Sequence, residues 1–377
     1  MKENPLHKLE AFGQSIWLDF IRRGMLVSGE LAQLIEQDGL GGVTSNPAIF
    51  EKAIAKTDDY DDAIRALAEH SAEEIYTRLT IEDIQHTADL FRPVHEKTDG
   101  RDGFVSLEVS PQLARDTAAT LTEARRLWQE VARPNVMIKV PGTREGIPAI
   151  RQLVSEGLNI NVTLLFGLPR YREVAEAFLA GLEERAAENR PLKGVASVAS
   201  FFLSRIDVLV DPFLEKIMQE KGPAAALAAE LRGEVAISSA KAAYQIYLEL
   251  FNGERFRRLA AKGASSQRLL WASTGTKNPE YSDIKYVEAL IGPETVNTLP
   301  METLAAYRDH GRPEARLTEG GMEARRLLER LSEVGVDLDA ITRQLEEEGV
   351  EKFIASFDNL IKSLESKRLK GTVEQTS

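Results

Sequence analysis

The sequence has 377 residues, no cysteine and a formal net charge of −12. The lack of cysteine excludes disulfide bonds, thiolate nucleophiles and cysteine-based zinc or iron–sulfur sites. The acidic balance argues against a nucleic-acid-binding protein, which would present a basic face. No apolar run approaches the ~20 residues of a membrane-spanning helix, and the N-terminal segment lacks an apolar signal region. We therefore expect a cytoplasmic protein that binds neither nucleic acid nor membrane.

Eight short segments are typical of strands, and segments with helical periodicity separate them. Helix 145–157 is predicted to end at Gly157, because glycine favours the backbone conformation that follows a helix. The predicted strands are 15–19, 41–47, 103–110, 135–143, 159–166, 195–202, 268–274 and 294–300. The predicted helices are 3–12, 23–38, 48–98, 114–132, 145–157, the segment after the fifth strand, 204–219, 223–250 and 321–367.

This alternation predicts an α/β fold, a (β/α)8 TIM barrel with N-terminal and C-terminal helical additions. The barrel domain is predicted over 1–320, and a helical extension over 321–377 is expected to pack on or beside it. An open doubly wound sheet is the alternative, and it usually carries a glycine-rich phosphate loop. Neither GxGxxG nor GxxxxGK[ST] occurs in the sequence, so the barrel is favoured.

Lys139 lies at the carboxyl end of the fourth predicted strand, after the apolar run 136–138 and before Pro141. Burial removes the hydration of an ammonium group and favours the neutral amine. A neutral lysine amine is a nucleophile that forms Schiff bases with ketones and aldehydes. The plainer interpretation is that Lys139 reaches solvent or pairs with a carboxylate. Polar residues at the ends of the other predicted strands favour the catalytic interpretation of Lys139, because a barrel gathers these strand ends at one mouth.

Two carboxylates and one hydroxyl are candidates for proton transfer. Glu108, one strand before Lys139, can donate the proton that expels water from a carbinolamine and later act as a base. Asp19, after the first strand, can take a proton from a substrate hydroxyl while a C–C bond breaks. Thr163 can orient a water. The structural alternatives stay open: a salt bridge for Glu108, a helix cap for Asp19 and simple β-propensity for Thr163.

Further strand ends carry groups suited to a phosphorylated polyol. Asn46 and Asn161 can both donate and accept hydrogen bonds, although an asparagine before proline is also typical of a turn. Ser200 and Arg205 lie around the end of the sixth strand, and Arg205 begins a helix, where backbone N–H groups favour anions. The loop Ser273–Lys277 follows the seventh strand, where barrels often hold phosphate. These groups make a sugar phosphate the expected substrate.

Metal-assisted and serine-hydrolase chemistry have little support in the sequence. The chain has five histidines, none at a predicted strand end and none in an HExxH motif. We therefore expect neither a metal nor another cofactor.

Seven segments together resemble the transaldolase family, in the longer form found in some bacteria. The most specific are Asn135–Gly142, which reads NVMIKVPG, and Asn159–Thr163, which reads NINVT. The other matching segments are Ser15–Asp19, Gly42–Pro47, Val105–Val109, Ala199–Phe202 with Arg205, and Trp271–Gly275.

The resemblance implies a metal-free enzyme similar to class I aldolases, in the non-oxidative pentose phosphate pathway. It would move a dihydroxyacetone unit from sedoheptulose 7-phosphate or fructose 6-phosphate to glyceraldehyde 3-phosphate or erythrose 4-phosphate. Lys139 would form the Schiff base, Glu108 and Thr163 would hold the catalytic water, and Asp19 would be the acid/base for C–C cleavage. The residues implied in substrate binding are Asn46, Asn161 and Ser200 for the hydroxyls, Phe202 for the wall of the site and Arg205 for phosphate.

One loop departs from the family pattern. Shorter transaldolases carry an arginine after the seventh strand as a second phosphate cation, whereas this loop reads STGTKNP. Ser273 and Lys277 are therefore included among the predicted substrate-binding residues, although lysine supplies charge without the bidentate fork of arginine. An aldolase that releases dihydroxyacetone or pyruvate and a non-catalytic scaffold barrel stay open as alternatives. Either a monomer or a homodimer is expected.

Overall fold

The structure, a computed structural model, describes residues 4–375, with side chains described to residue 369. Residue 3 of the first predicted helix and residues 376–377 of the predicted extension lie outside this range. Eight parallel strands form a closed barrel in sequence order, and β8 pairs with β1. The predicted (β/α)8 barrel is thus confirmed. The strands are β1 (Gln14–Leu18), β2 (Gly42–Thr44), β3 (Phe104–Glu108), β4 (Val136–Pro141), β5 (Ile160–Leu165), β6 (Ser197–Phe202), β7 (Gln267–Ala272) and β8 (Thr295–Leu299).

Helices surround the barrel and connect its strands. Those before β4 are α1 (His7–Ala11), α2 (Arg23–Val27), α3 (Glu30–Asp38), α4 (Pro47–Ala55), α5 (Asp61–Ala66), α6 (Ala72–Lys97) and α7 (Thr117–Val131). Those between β4 and β7 are α8 (Gly146–Glu156), α9 (Leu168–Ala187), α10 (Ser204–Met218), α11 (Pro223–Leu231), α12 (Val235–Phe251) and α13 (Glu254–Ala260). The last are α14 (Lys285–Glu288), α15 (Met301–His310), α16 (Gly321–Arg330) and α17 (Leu338–Gln375).

Several helix boundaries differ from the prediction. The predicted helix 23–38 is two helices, because Gly29 adopts a left-handed φ of 80° between them. The predicted helical region 48–98 is three helices, and α13, α14 and α15 had no counterpart in the prediction. Gly157 follows α8 with a left-handed φ of 97°, so this predicted helix end is confirmed. No helix in the described part of the chain is long and apolar enough to cross a membrane.

The amino-terminal end of the barrel is tied together by Asp102, the second residue before β3. Its carboxylate accepts hydrogen bonds from Ser15 Oγ at 2.5 Å and Trp17 Nε1 at 3.0 Å, both on β1. Arg268 of β7 donates to the same carboxylate at 3.0 Å and to Ser15 Oγ at 2.8 Å. The network lies at the opposite end of the strands from the predicted chemistry, so it serves barrel stability.

We expect Asp102→Ala to lower the free energy of unfolding by about 3–5 kcal/mol. The substitution leaves the buried Arg268 without its counter-charge and removes the acceptor of the Trp17 indole N–H. Urea unfolding measures the change, with Asp89→Ala as the control. Asp89 forms an exposed ion pair with Arg133, so its loss should change stability by less than about 1 kcal/mol. Equal effects of the two substitutions would contradict the role given to Asp102.

Helix α17 lies against the carboxyl ends of the strands. It contacts α4, α5, α6, α10 and β5, and Gly349 permits its close approach. A Cβ atom on Gly349 would lie only 3.0 Å from Leu164 Cδ2 of β5. The predicted apolar stripe of this helix is buried: Val350, Phe353, Phe357, Leu360 and Leu364. The division of the chain at residue 320 stays a prediction.

Candidate active site

Lys139 and Glu108 meet inside the mouth of the barrel. The register of β3 and β4 pairs these two residues directly, and their side chains are 5% and 3% exposed. Lys139 Nζ lies 3.4 Å from Glu108 Oε2 and donates a hydrogen bond of 3.1 Å to the carbonyl oxygen of Ser45. The lysine is therefore buried beside one carboxylate, as its strand position predicts.

The Glu108 carboxyl has an environment suited to proton transfer. Within the described residues, neither of its buried oxygens accepts a hydrogen bond of good geometry. Burial raises the pKa of Glu108 to about 7, although the positive charge of Lys139 acts in the opposite direction. A carboxyl with this pKa is present in both protonation states near neutral pH, so it can act as an acid and as a base.

Asp19 follows β1 and faces the same mouth. Its backbone N–H donates to the Leu299 carbonyl oxygen at 2.8 Å, and its Oδ1 accepts from Thr44 Oγ1 at 2.7 Å. Burial raises the pKa of Asp19, while Lys139 and Thr44 oppose the shift. The N-terminus of α2 has no side-chain cap, so the alternative of Asp19 as a cap of the next helix is wrong.

Asn161 connects three strands through its side-chain amide. Its Nδ2 donates to Ser106 Oγ on β3 at 3.0 Å, and its Oδ1 accepts from Ser200 Oγ on β6 at 2.7 Å. These contacts fix the orientation of the amide beside Lys139, with which Asn161 pairs in register. Thr163 Oγ1 is buried and has no hydrogen-bond partner in the part of the chain that the structure describes. Asn161, Ser200 and Thr163 thus line the barrel interior.

Ser106 and Thr44 contact the predicted site residues but were not predicted. Ser106 lies two residues before Glu108 on one strand, so both side chains face the barrel interior. Thr44 Oγ1 contacts Thr298 Oγ1 of β8 at 2.7 Å as well as Asp19. The alternation of side chains along a strand could have identified Ser106, whereas the contact between Thr44 and Thr298 depends on barrel closure.

Asn46 has a structural contact of its own. It is the N-cap of α4, and its Oδ1 accepts a 3.0 Å hydrogen bond from the Ile49 backbone N–H. The structural role considered for Asn46 is therefore present, and it occupies the side-chain oxygen. The residue before it, Ser45, is the one that binds Lys139, so Asn46 lies next to the lysine site.

Arg205 provides a half-buried cation at the start of α10. Its Cζ lies 5.5 Å from the centre of the Phe202 ring, which packs on Phe166 at 5.2 Å. Burial lowers the pKa of Arg205, against the charges of Asp19 and Glu348. Its Nη1 is buried without a hydrogen-bond partner among residues 4–369. A desolvated guanidinium nitrogen with no acceptor is suited to an anion such as phosphate.

The loop after β7 places its two predicted residues differently. Ser273 Oγ lies 2.9 Å from Ser204 Oγ, which connects the end of β7 to the start of α10 next to Arg205. Lys277 is exposed. Its Nζ lies 3.7 Å from the position of a Cβ on Gly275, so the side chain folds over its own loop. The structure therefore brings Ser273 beside the Arg205 segment and leaves Lys277 at the solvent side.

Phe353 of α17 completes the surroundings of Lys139. The centre of its ring lies 6.0 Å from Lys139 Nζ and 6.0 Å from Arg205 Cζ. Its position in an apolar stripe predicted a packing residue, and nothing in the local sequence pointed to the barrel mouth. Among the described side chains, no group of three or more His, Asp or Glu residues is arranged to hold a metal ion.

Comparison with known proteins agrees with this geometry. Residues 16–364 match the model of the family described as Transaldolase/Fructose-6-phosphate aldolase. "Transaldolase 2" of Nostoc sp. is 47% identical over 374 residues, 97% of this chain and 98% of the relative. "Transaldolase" of Thiobacillus denitrificans is 48% identical over 95% of this chain and 99% of its own. "Transaldolase" of Thermobifida fusca is 49% identical over 95% and 96%. The chain therefore belongs to the transaldolase/fructose-6-phosphate aldolase family and is an enzyme that transfers aldehyde or ketone residues.

Proposed function

We propose that this transaldolase moves a dihydroxyacetone unit between sugar phosphates through a Schiff base on Lys139. The donors are sedoheptulose 7-phosphate and fructose 6-phosphate, and the acceptors are glyceraldehyde 3-phosphate and erythrose 4-phosphate. The observation that carries the proposal is the buried contact between Lys139 and Glu108, 3.4 Å apart in a mouth lined by hydroxyls and amides. This chemistry serves the non-oxidative pentose phosphate pathway, and we place the enzyme in the cytoplasm.

The first half of the reaction makes the Schiff base. The neutral Lys139 amine attacks the donor's C2 carbonyl carbon, the C–N bond forms, and the carbonyl oxygen becomes a hydroxyl. Glu108 then donates a proton, directly or through a water held with Thr163, and this hydroxyl leaves as water. The pKa of Glu108 near 7 supports this role, because the protonated acid is available at neutral pH.

The second half breaks and remakes a C–C bond. Asp19 takes the proton of the donor's C4 hydroxyl, the C3–C4 bond breaks, and its electron pair moves towards the Schiff-base nitrogen. An aldose phosphate leaves, and a three-carbon enamine stays on Lys139. The acceptor aldehyde reverses these steps. Asn46, Asn161 and Ser200 hold the dihydroxyacetone hydroxyls, Phe202 lines the site, and Arg205 binds phosphate, with Ser273 and Lys277 at the neighbouring strand end.

Borohydride trapping tests the proposal. The protein is incubated with fructose 6-phosphate, reduced, and mapped by mass spectrometry. A dihydroxyacetone-sized adduct on Lys139 is expected, and its absence from folded protein would refute the Schiff base. Product analysis with and without erythrose 4-phosphate then separates transfer from release, because an aldolase forms free dihydroxyacetone without an acceptor.

The alkaline limb of the pH profile is expected to report Glu108. The proposed function uses Glu108 in its protonated form, as the acid that expels water from the carbinolamine. Because the pKa of Glu108 is about 7, kcat/KM should fall as the pH rises above that value. In Glu108→Gln, activity should fall and this inflection should disappear. An unchanged inflection would assign the limb to another group.

A further inference from the structure

Phe353 is the apolar cover of the proposed reaction centre. Its ring is equally distant, at 6.0 Å, from the nitrogen of Lys139 and the guanidinium carbon of Arg205. The proposed function assigns these two groups to opposite ends of the donor, the carbonyl carbon and the phosphate. A donor bound with its carbonyl carbon at Lys139 and its phosphate at Arg205 would therefore pass near this ring, and the Phe353 residue is only 4% exposed.

Helix α17 holds this ring in place through its own packing. Gly349, one turn before Phe353, brings the helix backbone close to Leu164 on β5, and Val350 and Leu360 on the same stripe are buried. The neighbouring Glu348 and Lys352 bind each other at 2.9 Å with side chains 34% and 59% exposed. The polar face of α17 thus meets solvent, while its apolar face closes the mouth above Lys139.

We propose that Phe353 is a specificity-determining residue that keeps water from the three-carbon intermediate, so that the intermediate is transferred rather than hydrolysed. This inference rests on the proposed function. Hydrolysis needs a proton on the nucleophilic carbon of the enamine and then water on the C=N carbon. The C–N bond breaks, dihydroxyacetone leaves, and the Lys139 amine retains a proton as ammonium. An aromatic ring offers this water no strong hydrogen-bond partner, so it disfavours the addition of water to the C=N carbon.

The polar groups below the ring do not give this protection. Glu108 and Thr163 have buried oxygens without a hydrogen-bond partner in the described chain, and such groups attract water. The same site releases a water when the Schiff base forms and must exclude water while the three-carbon intermediate is present. The apolar wall therefore has to come from elsewhere, and Phe353 is the aromatic residue whose ring contacts both Lys139 and Arg205 in the described structure.

The test measures partitioning in a mixture of fructose 6-phosphate and erythrose 4-phosphate. The quantity is free dihydroxyacetone released per sedoheptulose 7-phosphate formed. This ratio does not depend on the fraction of folded enzyme, so a loss of stability alone leaves it unchanged. Phe353→Ala is expected to raise the ratio by at least about tenfold. Phe353→Leu retains apolar bulk and should give a smaller rise.

Leu360→Ala is the matched control. Leu360 is buried on the same face of α17, seven residues further, which is about 10 Å along a helix axis. It should leave the ratio unchanged even where total activity falls. An unchanged ratio in both Phe353 variants, or an equal rise in Leu360→Ala, would overturn the inference. Failure of the proposed function gives a different result, because wild-type protein would then form no reducible adduct on Lys139.

Discussion

Lys139→Met is expected to lower turnover by about 10⁴-fold or more, because it removes the nucleophile that all later steps require. The fold should survive. Methionine has a similar length, and Glu108, whose pKa burial already raises, can stay neutral beside an apolar side chain. The far-UV circular dichroism spectrum should match that of the wild type, while borohydride reduction in the presence of fructose 6-phosphate yields no adduct.

Lys285→Met gives the matched control for loss of a partly buried lysine, since the Lys285 side chain is 13% exposed. Lys285 Nζ lies 3.3 Å from Asp207 and 3.7 Å from the centre of the Tyr281 ring. Its removal should lower stability but leave the adduct on Lys139. Substantial turnover in Lys139→Met would move the Schiff base to another residue, and loss of the adduct in folded Lys285→Met would show that trapping reports packing rather than chemistry.

Arg205→Ala is expected to raise KM for fructose 6-phosphate by about a hundredfold, since a buried charge pair is worth about 2–5 kcal/mol when one partner is removed. The reason is the buried Nη1, which has no acceptor within the described chain and so is available to a phosphate oxygen. KM for free dihydroxyacetone as donor should change far less, because that donor has no phosphate. Steady-state kinetics with both donors measures the difference.

Lys277→Ala tests the second phosphate contact beside it. Lys277 is exposed, so the increase in KM for the phosphorylated donor should be well below that of Arg205→Ala. It should still exceed the change for free dihydroxyacetone if Lys277 replaces the arginine of shorter transaldolases. Equal changes for both donors would remove Lys277 from the phosphate site, and equal changes in Arg205→Ala would remove Arg205.

The sequence carried enough information to bring the central residues together. Glu108, Lys139 and Asn161 lie on three consecutive buried strands, and parallel strands in sequence order are neighbours in the barrel. The structure adds the register, which pairs Glu108 with Lys139 and Lys139 with Asn161. Asp19 required one more fact, closure of the barrel, which the count of eight strands supplied.

Contacts between distant segments could not be predicted in this way. Tyr60 is buried, and its hydroxyl donates a hydrogen bond of 2.8 Å to Asp83. This contact helps to fix the segment between α4 and α6, where helical periodicity predicted a single helical region. Val350, Phe353 and Phe357 recur at helical spacing. Such a stripe predicts that these side chains are buried, but it does not predict the surface against which they pack. Only the packing of α17 on the strand ends connects it to Lys139.

Closure of the barrel has a consequence for how the chain folds. Gln14 of β1 pairs with Thr295 of β8, so the last pairing waits until nearly the whole barrel sequence is in place. Until then β1 and the latest strand expose unpaired edges, and pairings of such long sequence separation form slowly. A partly folded barrel is therefore prone to pair its edges with another chain. Refolding at low protein concentration should accordingly give a higher yield of active enzyme than refolding at high concentration.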